Sequence, residues 1–375
     1  MTSQAMKTYK HYGWPVSPYS AKTRAYLRFK GVDFEDIEPG MLRLMQTIRK
    51  AVGRPIMPTV LRSDGVWMQD TSEIIDQIEA DHPTPATVPA GPRQRVASLL
   101  LELHADEWLP TVAMFTRWSI PENKRFAEDE FGRYSFPHMP LPMSRRIARP
   151  MAKKMASYLP ILGVGEETKP GIDTFLRDLI AKLEAHLGTH PFLLGTRPCI
   201  GDFALYGPLW SHCHRDPGST HYFEAAPSVV DWFERLKRPS ADPGAFLDGD
   251  QVPETLDPIF ETLFAEQWPF IETLVEKIDK WCLENPGAKR VPRSLGNSDF
   301  TFGGHAGQRR LITFTQWMAQ RPLKAYADLD SEGRAEVDGW LTRVGGQGKL
   351  TMAINNPFER KNFKVRLARP AGGQR

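Results

Sequence analysis

The stretch from His11 to Lys30 constrains the fold more than any other part of the chain; it reads HYGWPVSPYSAKTRAYLRFK. A short apolar and aromatic run, Lys7 to Tyr12, ends at Gly13, and the pair Ser17-Pro18 opens a segment with helical spacing. Serine at an N-cap followed by proline is a strong helix start signal, because proline supplies the required φ and lacks an N–H that would be unpaired anyway. The pattern predicts a strand that feeds a helix, whose N-terminal N–H groups favour an anion such as a thiolate. A capped helix with an exposed serine is the alternative interpretation.

The residues that follow predict the rest of a small α/β domain. The turn signal Ser63-Asp64-Gly65 indicates a hairpin, and Gln69 to Ser72 is typical of a helix cap. The order β-α-β-α-β-β-α is that of a thioredoxin-like domain. The predicted elements after the first helix are a strand near Phe34, a polar helix at Pro39–Val52, strands at Ile56–Leu61 and Val66–Met68, and a helix at Glu73–Ala80.

Three motifs, in this order, resemble the glutathione S-transferase superfamily. The run Trp14 to Ser20, followed by Lys30 to Glu35, is similar to the first helix of the serine-type classes. It is nearest to the tau class, with one extra residue between the Trp-Pro pair and the serine. Met57-Pro58 matches the residue before the superfamily's cis-proline, and Asp70-Thr71 falls where the family usually has Glu-Ser. The resemblance implies a thioredoxin-like α/β domain followed by an all-α domain, with glutathione as co-substrate.

The resemblance also implies roles for individual residues. Ser17 would be catalytic: its hydroxyl would donate a hydrogen bond to the glutathione sulfur and, with the helix terminus, lower the thiol pKa by about one or two units. Tyr12, at the end of the first strand, is the fallback donor. The expected glutathione-binding residues are Tyr19, Arg54, Met57, Pro58, Asp70 and Thr71, and the candidate walls of an acceptor pocket are Trp14, Phe115 and Trp118.

The middle of the chain departs from the family pattern. Asp81 to Arg93 is rich in proline, threonine and alanine and indicates a linker, after which Val96 to Arg117 has helical spacing. Ser119 to Pro150 is rich in proline and aromatic residues and predicts an insertion. The insertion either shapes an acceptor pocket or is a long, partly irregular excursion.

A capping motif of the second domain follows the predicted helix Glu166–Leu187. The run His190 to Ala204 is similar to the family's motif, in which a serine or threonine and an aspartate three residues later bond the helix backbone reciprocally. Asp202 is present, but Cys199 stands at the hydroxyl position. A thiol is a weak hydrogen-bond acceptor, so we expect one of the two reciprocal capping bonds to be lost, at a cost of about 1 kcal/mol in stability. We expect Asp202 to support folding rather than catalysis.

Two clusters suggest other chemistry. Basic residues cluster within the insertion, and a solvated helix face is the expected interpretation, with nucleic-acid or lipid binding as the alternative. Basic residues without interleaved aromatic residues are weak grounds for nucleic-acid recognition. The basic residues are Arg145, Arg146, Arg149, Lys153 and Lys154.

The second cluster comprises His212, Cys213, His214 and His221. Adjacent helical residues point about 100° apart, so three in a row cannot ligate one ion while the helix persists. Zinc ligands are normally two to four residues apart. We therefore predict no metal site.

The last part of the chain, Ala241 to Arg375, exceeds the family's usual tail. Phe302 to Gly307 is glycine-rich but lacks the Lys-Ser/Thr pair of a phosphate loop, which favours a flexible approach to a helix. The final segment, Phe358 to Arg375, is basic and is expected to be extended or disordered. The predicted helices are Asp257–Glu284, broken at Pro269, then His305–Gln320 and Glu332–Val344.

These patterns predict three regions in the 375 residues. They are a glutathione-binding domain at 1–84, an all-helical domain at 93–240 with an insertion at 119–165, and a helical extension at 241–375. The composition is that of a globular protein, with 41% apolar and 25% charged residues, and the net charge of +3 gives no reason to expect nucleic acid as a partner.

Three cysteines fit a reducing compartment, and the chain shows no signal sequence or transmembrane run, so a cytoplasmic protein is expected. The expected function is a glutathione-dependent transferase that joins the glutathione thiolate to a small hydrophobic electrophile. By the resemblance it would be a homodimer. The alternatives are a non-catalytic binding or assembly module, and a glutathione-dependent isomerase or dehalogenase.

Overall fold

The computed structural model describes residues 8–238 and 241–370, and the chain divides into two compact units. Unit 1 comprises Met1–Thr87, Ala113–Ser157 and Phe203–Gly244, and unit 2 comprises Val88–Val112, Tyr158–Asp202 and Ala245–Arg375. The region boundaries at residues 84, 93 and 240 stay a prediction. Residues 1–7, 239–240 and 371–375, which include parts of those regions, lie outside the described residues.

Unit 1 contains a four-stranded sheet in the order β2-β1-β3-β4. Strand β1 is parallel to β2 and antiparallel to β3, which is antiparallel to β4. The predicted order β-α-β-α-β-β-α is confirmed, and Val60 and Met68 are fully buried in the sheet. The strands are β1 (Tyr9–Tyr12), β2 (Phe34–Ile37), β3 (Thr59–Arg62) and β4 (Trp67–Gln69).

Helices complete unit 1. Two of them, α6 (Pro110–Ser119) and α10 (Ile200–Pro208), contain a boundary between the units. The helices are α1 (Pro18–Phe29), α2 (Met41–Arg43) and α3 (Arg49–Val52), which are joined by a π-helical turn at Leu44–Ile48, α4 (Thr71–Asp81), α6 (Pro110–Ser119), α7 (Pro121–Ser135), α8 (Leu141–Ala156), α10 (Ile200–Pro208) with a π-helical turn at Leu209–His214, a 3-10 turn at Pro217–Phe223, and α11 (Pro227–Lys237).

The irregular excursion that we considered for Ser119 to Pro150 is wrong, because this segment forms the two helices α7 and α8. Proline stands in the first turn of each helix, where the missing N–H costs nothing. The two helices approach each other closely at Gly132, where an added Cβ would lie 2.6 Å from the backbone nitrogen of Arg145. Pro121 and Pro142 therefore start the helices rather than prevent them, and α8 also accommodates Pro150 in its interior.

Unit 2 is built around an aromatic core. Trp108 stacks on Phe302 at 5.2 Å, and Phe302 also packs on Phe175 at 4.3 Å. The elements are α5 (Pro92–Glu107), a 3-10 turn at Pro160–Leu162, α9 (Lys169–Leu187), 3-10 turns at Asp248–Asp250 and Glu254–Leu256, α12 (Asp257–Thr262), a π-helical turn at Leu263–Gln267, α13 (Trp268–Glu284), β5 (Ser294–Phe302), β6 (His305–Ile312), α14 (Phe314–Ala327), α15 (Ser331–Arg343), a 3-10 turn at Lys349–Thr351, β7 (Phe358–Lys361) and β8 (Lys364–Leu367).

Two predictions for the extension are wrong. Phe302 to Gly307 is not an approach to a helix, and the predicted helix His305–Gln320 begins only at Phe314, because β5 and β6 form a hairpin. Gly303 and Gly304 turn this hairpin with φ of 55° and 80°, values that suit glycine. The segment Phe358–Arg375 contains a second hairpin, β7–β8, and its last five residues lie outside the described part.

The break predicted at Pro269 is also absent, since the chain stays helical from Asp257 to Glu284 and Pro269 lies in the first turn of α13. The architecture of a thioredoxin-like domain with a helical C-terminal region is confirmed, with two added hairpins. Within the described ranges, no helix has the length and apolar character needed to cross a membrane.

Candidate functional site

Three segments meet at one edge of the unit 1 sheet. The register pairs Tyr12 with Thr59 and Thr59 with Gln69, so β1 and β4 end where β3 begins. The loop that leads to Ser17 follows β1 at this edge, and the start of α4 follows β4. The Met57-Pro58 pair directly precedes β3 there. The structure therefore brings together the residues that the sequence pattern predicted to share a site.

Ser17 is the N-cap of α1. Its backbone is extended, and its hydroxyl oxygen accepts a hydrogen bond from the Ser20 N–H at 3.3 Å. Pro18 occupies the first turn, as the start signal predicted. A hydroxyl that accepts in this way keeps its own proton for another acceptor. Ser17 is partly exposed, so an incoming group can reach it.

The two tyrosines near Ser17 are placed differently. Tyr12 is 6% exposed, and its ring stacks on Trp67 with the centroids 5.5 Å apart. Tyr19 lies in the first turn of α1 and is 37% exposed. The packing of Tyr12 makes it a poorer donor to a bound ligand than Ser17.

Asp70 is the N-cap of α4, and Thr71 is the first residue of this helix. One carboxylate oxygen of Asp70 accepts from the backbone N–H groups of Ser72, at 3.1 Å, and Glu73, at 3.4 Å. The φ and ψ of Asp70 are 83° and 134°, a conformation that residues other than glycine rarely adopt. Asp70 therefore stabilises its own helix whether or not it also binds a ligand.

The other predicted glutathione residues surround this edge. The Met57-Pro58 peptide bond is cis, and Pro58 is buried directly before β3. Arg54 is partly exposed and follows Gly53, the left-handed cap of α3.

An ionic network around the buried side chain of His11 supports the loop between β1 and α1, and the sequence interpretation missed it. His11 is fully buried; its Nδ1 donates to Asp36 at 2.9 Å, and Arg24 donates to the same carboxylate at 2.5 Å. Arg24 also donates to the carbonyl of Gly13 at 3.1 Å. Burial lowers the pKa of His11, although the bond to Asp36 opposes this shift. Burial would raise the pKa of Asp36, but the bonds from His11 and Arg24 outweigh it and hold that pKa well below its usual range.

A second missed network lies directly before Ser17. The guanidinium of Arg117, 2% exposed, donates twice to the buried carboxylate of Asp216, both at 2.7 Å. It also donates to the carbonyls of Val16, at 2.5 Å, and Ser211, at 2.6 Å. Charged residues 99 positions apart give no signal in a sequence pattern, so only the fold could reveal this pair.

The three candidate walls of an acceptor pocket are buried. Trp14 is 2% exposed, Trp118 is 6% and Phe115 is 8%. The rings of Trp14 and Trp118 both pack on Phe131, at 6.0 and 5.8 Å, and the Trp14 indole N–H donates to the Pro39 carbonyl. These side chains form an aromatic cluster, and their contact with a substrate stays a prediction.

Other sequence candidates have structural contacts. His212 is buried, and its Nδ1 donates to the carbonyl of Ala113 at 2.7 Å, while His214 packs on Phe223 and Phe233. Asp202 is fully buried and accepts from the N–H groups of Cys199, at 2.8 Å, and Leu193, at 3.1 Å. These contacts match the folding role expected for Asp202.

A cavity of about 200 Å³ also lies in unit 1, on the Arg24 side of α1. Ser17, Pro58 and Asp70 do not line it. Both cationic and anionic side chains line it, and among them Arg24 pairs with Asp36. Another lining cation, Lys237, lies over the ring of Trp210. The cavity therefore shares the loop residue Pro15 with the edge described above, but not Ser17, Pro58 or Asp70.

Comparison with known proteins gives matches for both parts of the fold. The family models that match are the glutathione S-transferase N-terminal domain, over residues 12–86, and the glutathione S-transferase C-terminal domain, over residues 175–235. A curated relative, the isoprene-epoxide–glutathione S-transferase of Rhodococcus sp. (strain AD45), is 23% identical over 233 residues. The match covers 60% of this chain and 92% of the relative.

Solved structures are similar over about two thirds of the chain. A glutathione S-transferase from Rhodospirillum rubrum is 15% identical with a TM-score of 0.41, covering 66% of this chain and 96% of its own. The beta-etherase LigF from Sphingobium is 20% identical with a TM-score of 0.42, covering 63% of this chain and 96% of its own. Because these values are low, the assignment rests on the two domain matches. Residues 12–86 and 175–235 thus carry the two domains of the glutathione S-transferase superfamily.

Proposed function

We propose that this chain is a glutathione-dependent transferase that joins the glutathione thiolate to a small hydrophobic electrophile. The observation that carries the proposal is the N-cap geometry of Ser17. Its hydroxyl accepts from the Ser20 N–H, so its proton is available to a sulfur at the positive end of α1. The two domain matches and the curated relative support glutathione as the co-substrate.

The polar groups at this sheet edge suit glutathione, which carries carboxylates and an acidic thiol. The N-terminal N–H groups of α1 and α4 open from this edge, and such groups favour anions. We assign the γ-glutamyl end to the start of α4, at Asp70 and Thr71, and the cysteinyl backbone to Met57 beside Pro58. Tyr19 and Arg54 are further proposed contacts.

The proposed reaction is a nucleophilic substitution or addition. The thiol of glutathione loses its proton to water, and the Ser17 hydroxyl stabilises the resulting thiolate. The sulfur electron pair then forms an S–C bond to the electrophilic carbon. The electron pair of the bond that breaks goes to the leaving group, or to the oxygen of an opened epoxide, which takes a proton from water. The name of the Rhodococcus relative makes an epoxide the first electrophile to test.

A binding or assembly module is the second candidate. The burial of Trp14, Phe115 and Trp118 favours it, because these residues were expected to wall the acceptor pocket. An isomerase or dehalogenase would use the same thiolate. We also propose that the protein is cytoplasmic. The three cysteines, Cys199, Cys213 and Cys282, support this because they are buried and form no disulfide. The homodimer stays a prediction.

The first test is the thiolate absorbance of the glutathione complex against pH. Ser17→Ala should raise the pKa of bound glutathione towards its free value and lower turnover at neutral pH about ten- to a hundredfold, which corresponds to about 1.4–2.7 kcal/mol. Glutathione affinity, measured by retention on immobilised glutathione, should be nearly unchanged. Tyr12→Phe is the control and should leave the thiolate signal unchanged. A shift of the thiolate pKa in the Tyr12 variant alone would identify Tyr12 as the donor. Glutathione binding without a thiolate signal in the wild type and in both variants would favour the binding module.

A further inference from the structure

Helix α8, Leu141–Ala156, has a one-sided charge composition. Its sixteen residues include no aspartate or glutamate. Its five cations are Arg145, Arg146, Arg149, Lys153 and Lys154. Cations on a surface helix are commonly balanced by acidic neighbours three or four positions away. On α8 this balance is missing.

The burial pattern shows which face of α8 meets the solvent. Ser144 and Ala148 are buried, as is Ala152, at the spacing of one helix face. At 100° per residue, Arg146 and Lys153 lie on the opposite side, and both are exposed together with Arg149. In the part of the chain that the structure describes, none of these three cations has an ion-pair partner, whereas Arg145 pairs with Asp129 at 2.8 Å.

Large apolar side chains lie beside these cations. Met143 is 53% exposed and Ile147 is 46% exposed, one helical turn apart. Met139, in the turn before α8, is 39% exposed. An exposed apolar strip next to exposed cations is the pattern of a helix that lies in a membrane interface.

A neighbouring segment has the same character. The helical stretch Met41–Val52 carries Arg43, Arg49 and Lys50 without an acidic residue. Its Leu42 is 69% exposed. The residue before this stretch, Gly40, lies against the turn between α7 and α8, where an added Cβ would be 3.5 Å from the Ser135 carbonyl oxygen. Gly40 thus places the start of this stretch beside the turn that precedes α8.

We propose that the exposed face of α8 is a docking surface for anionic lipid headgroups. The cations would meet the headgroups while Met143 and Ile147 enter the interface, and each basic residue near such a surface adds about fivefold in affinity. Nucleic acid is less suited, because α8 contains no aromatic residue on which bases could stack. A second copy of the chain is also less suited, because a two-fold contact would bring two sets of unpaired cations together.

The test is co-sedimentation of the full chain with lipid vesicles. We expect binding to phosphatidylcholine vesicles that contain phosphatidylglycerol, little binding to pure phosphatidylcholine, and a loss of binding at high salt. Arg146→Gln combined with Arg149→Gln should weaken binding about 25-fold, from two fivefold factors. Ile147→Asn should weaken it several-fold at unchanged charge.

Matched controls come from α13, where Lys277 and Leu283 are exposed. Lys277→Gln and Leu283→Asn should bind vesicles as the wild type does, and circular dichroism should show every variant folded. Equal binding to neutral vesicles, or no binding to anionic ones, would overturn the proposal. So would binding to single-stranded RNA in place of vesicles, or a dimer that the α8 variants dissociate.

Discussion

At the scale of single residues, Asp70 combines one observed duty, capping α4, with one proposed duty, binding glutathione. The resemblance to glutathione S-transferases implies that the Asp70 carboxylate binds glutathione. The structure shows that this carboxylate caps α4 through the N–H groups of Ser72 and Glu73. A change that removes both duties would therefore confuse a loss of helix stability with a loss of binding.

Asp70→Asn separates the two duties. Asparagine caps a helix about as well as aspartate, so stability in urea unfolding should change little. The lost charge should weaken glutathione binding about tenfold, or about 1.4 kcal/mol, measured by calorimetry. The control is Asp330→Asn, the same change at the N-cap of α15, which should leave affinity unchanged. Wild-type affinity in the Asp70 variant would remove it from the binding site.

Ser17 illustrates what local signals can predict. Its N-cap position follows from Ser-Pro alone, and the structure confirms that position. The support for its loop could not be predicted, because Arg117 and Asp216 are remote from it in sequence. A serine can thus be placed from its neighbours, while the charges that hold its loop come from tertiary packing.

At the scale of secondary-structure elements, the Arg117–Asp216 pair joins α6 to the loop before α1 and to the chain after the π-helical turn. Burial raises the pKa of Asp216, although the charge of Arg117 opposes the shift. A buried carboxylate in this position depends on its partner. Breaking such a pair from one side is costly because the remaining charge has no compensation.

Arg117→Met should lower the free energy of unfolding by about 3–5 kcal/mol in urea titration. The double variant with Asp216→Asn should recover part of this loss, because it removes the uncompensated carboxylate. Arg177→Met is the control: it breaks the exposed pair with Asp173 on α9 and should cost less than about 1 kcal/mol. A double variant no more stable than the single one would mean that the carbonyl bonds to Val16 and Ser211, not the ion pair, carry the effect.

The hairpins of the extension show where element prediction failed. The signal for β5–β6 was present in the Gly303-Gly304 pair between two alternating segments, which is typical of a two-residue turn. For β7–β8 the turn uses Asn362 and Phe363, both at positive φ. Phenylalanine rarely adopts that conformation, so the residues at these two positions are a weak signal for a turn. In the β5–β6 hairpin, the alternation of the flanking segments marks Phe302 to Gly307 as a turn between strands, which the glycine content alone does not show.

At the scale of the whole molecule, both units bury neutral histidines. Burial lowers the pKa of His11 and His212 in unit 1. In unit 2 burial lowers the pKa of His104 to about 4 and that of His186 to about 4. Every one of these shifts has the same sign, so their effects on stability add.

The sign of the pH dependence follows from proton binding. Between about pH 4 and pH 6.5 the unfolded chain protonates each of these histidines while the folded chain keeps His104 neutral. The unfolded state then binds more protons, so stability falls as the pH falls, by up to about 1.4 kcal/mol per pH unit for each histidine. A single exposed histidine would give no such slope.

His104→Gln should reduce this slope. The ring nitrogen Nδ1 of His104 is 2.7 Å from the side-chain oxygen of Gln267, and a glutamine amide can donate to the same oxygen without titrating. Between pH 6.5 and about pH 5 the variant should lose about 1.5 kcal/mol less stability than the wild type in urea unfolding. His138→Gln, at an exposed position, is the control and should keep the wild-type slope. If the wild type and His104→Gln lose stability in parallel, His104 is protonated in the folded chain over this range, and the acid sensitivity arises elsewhere.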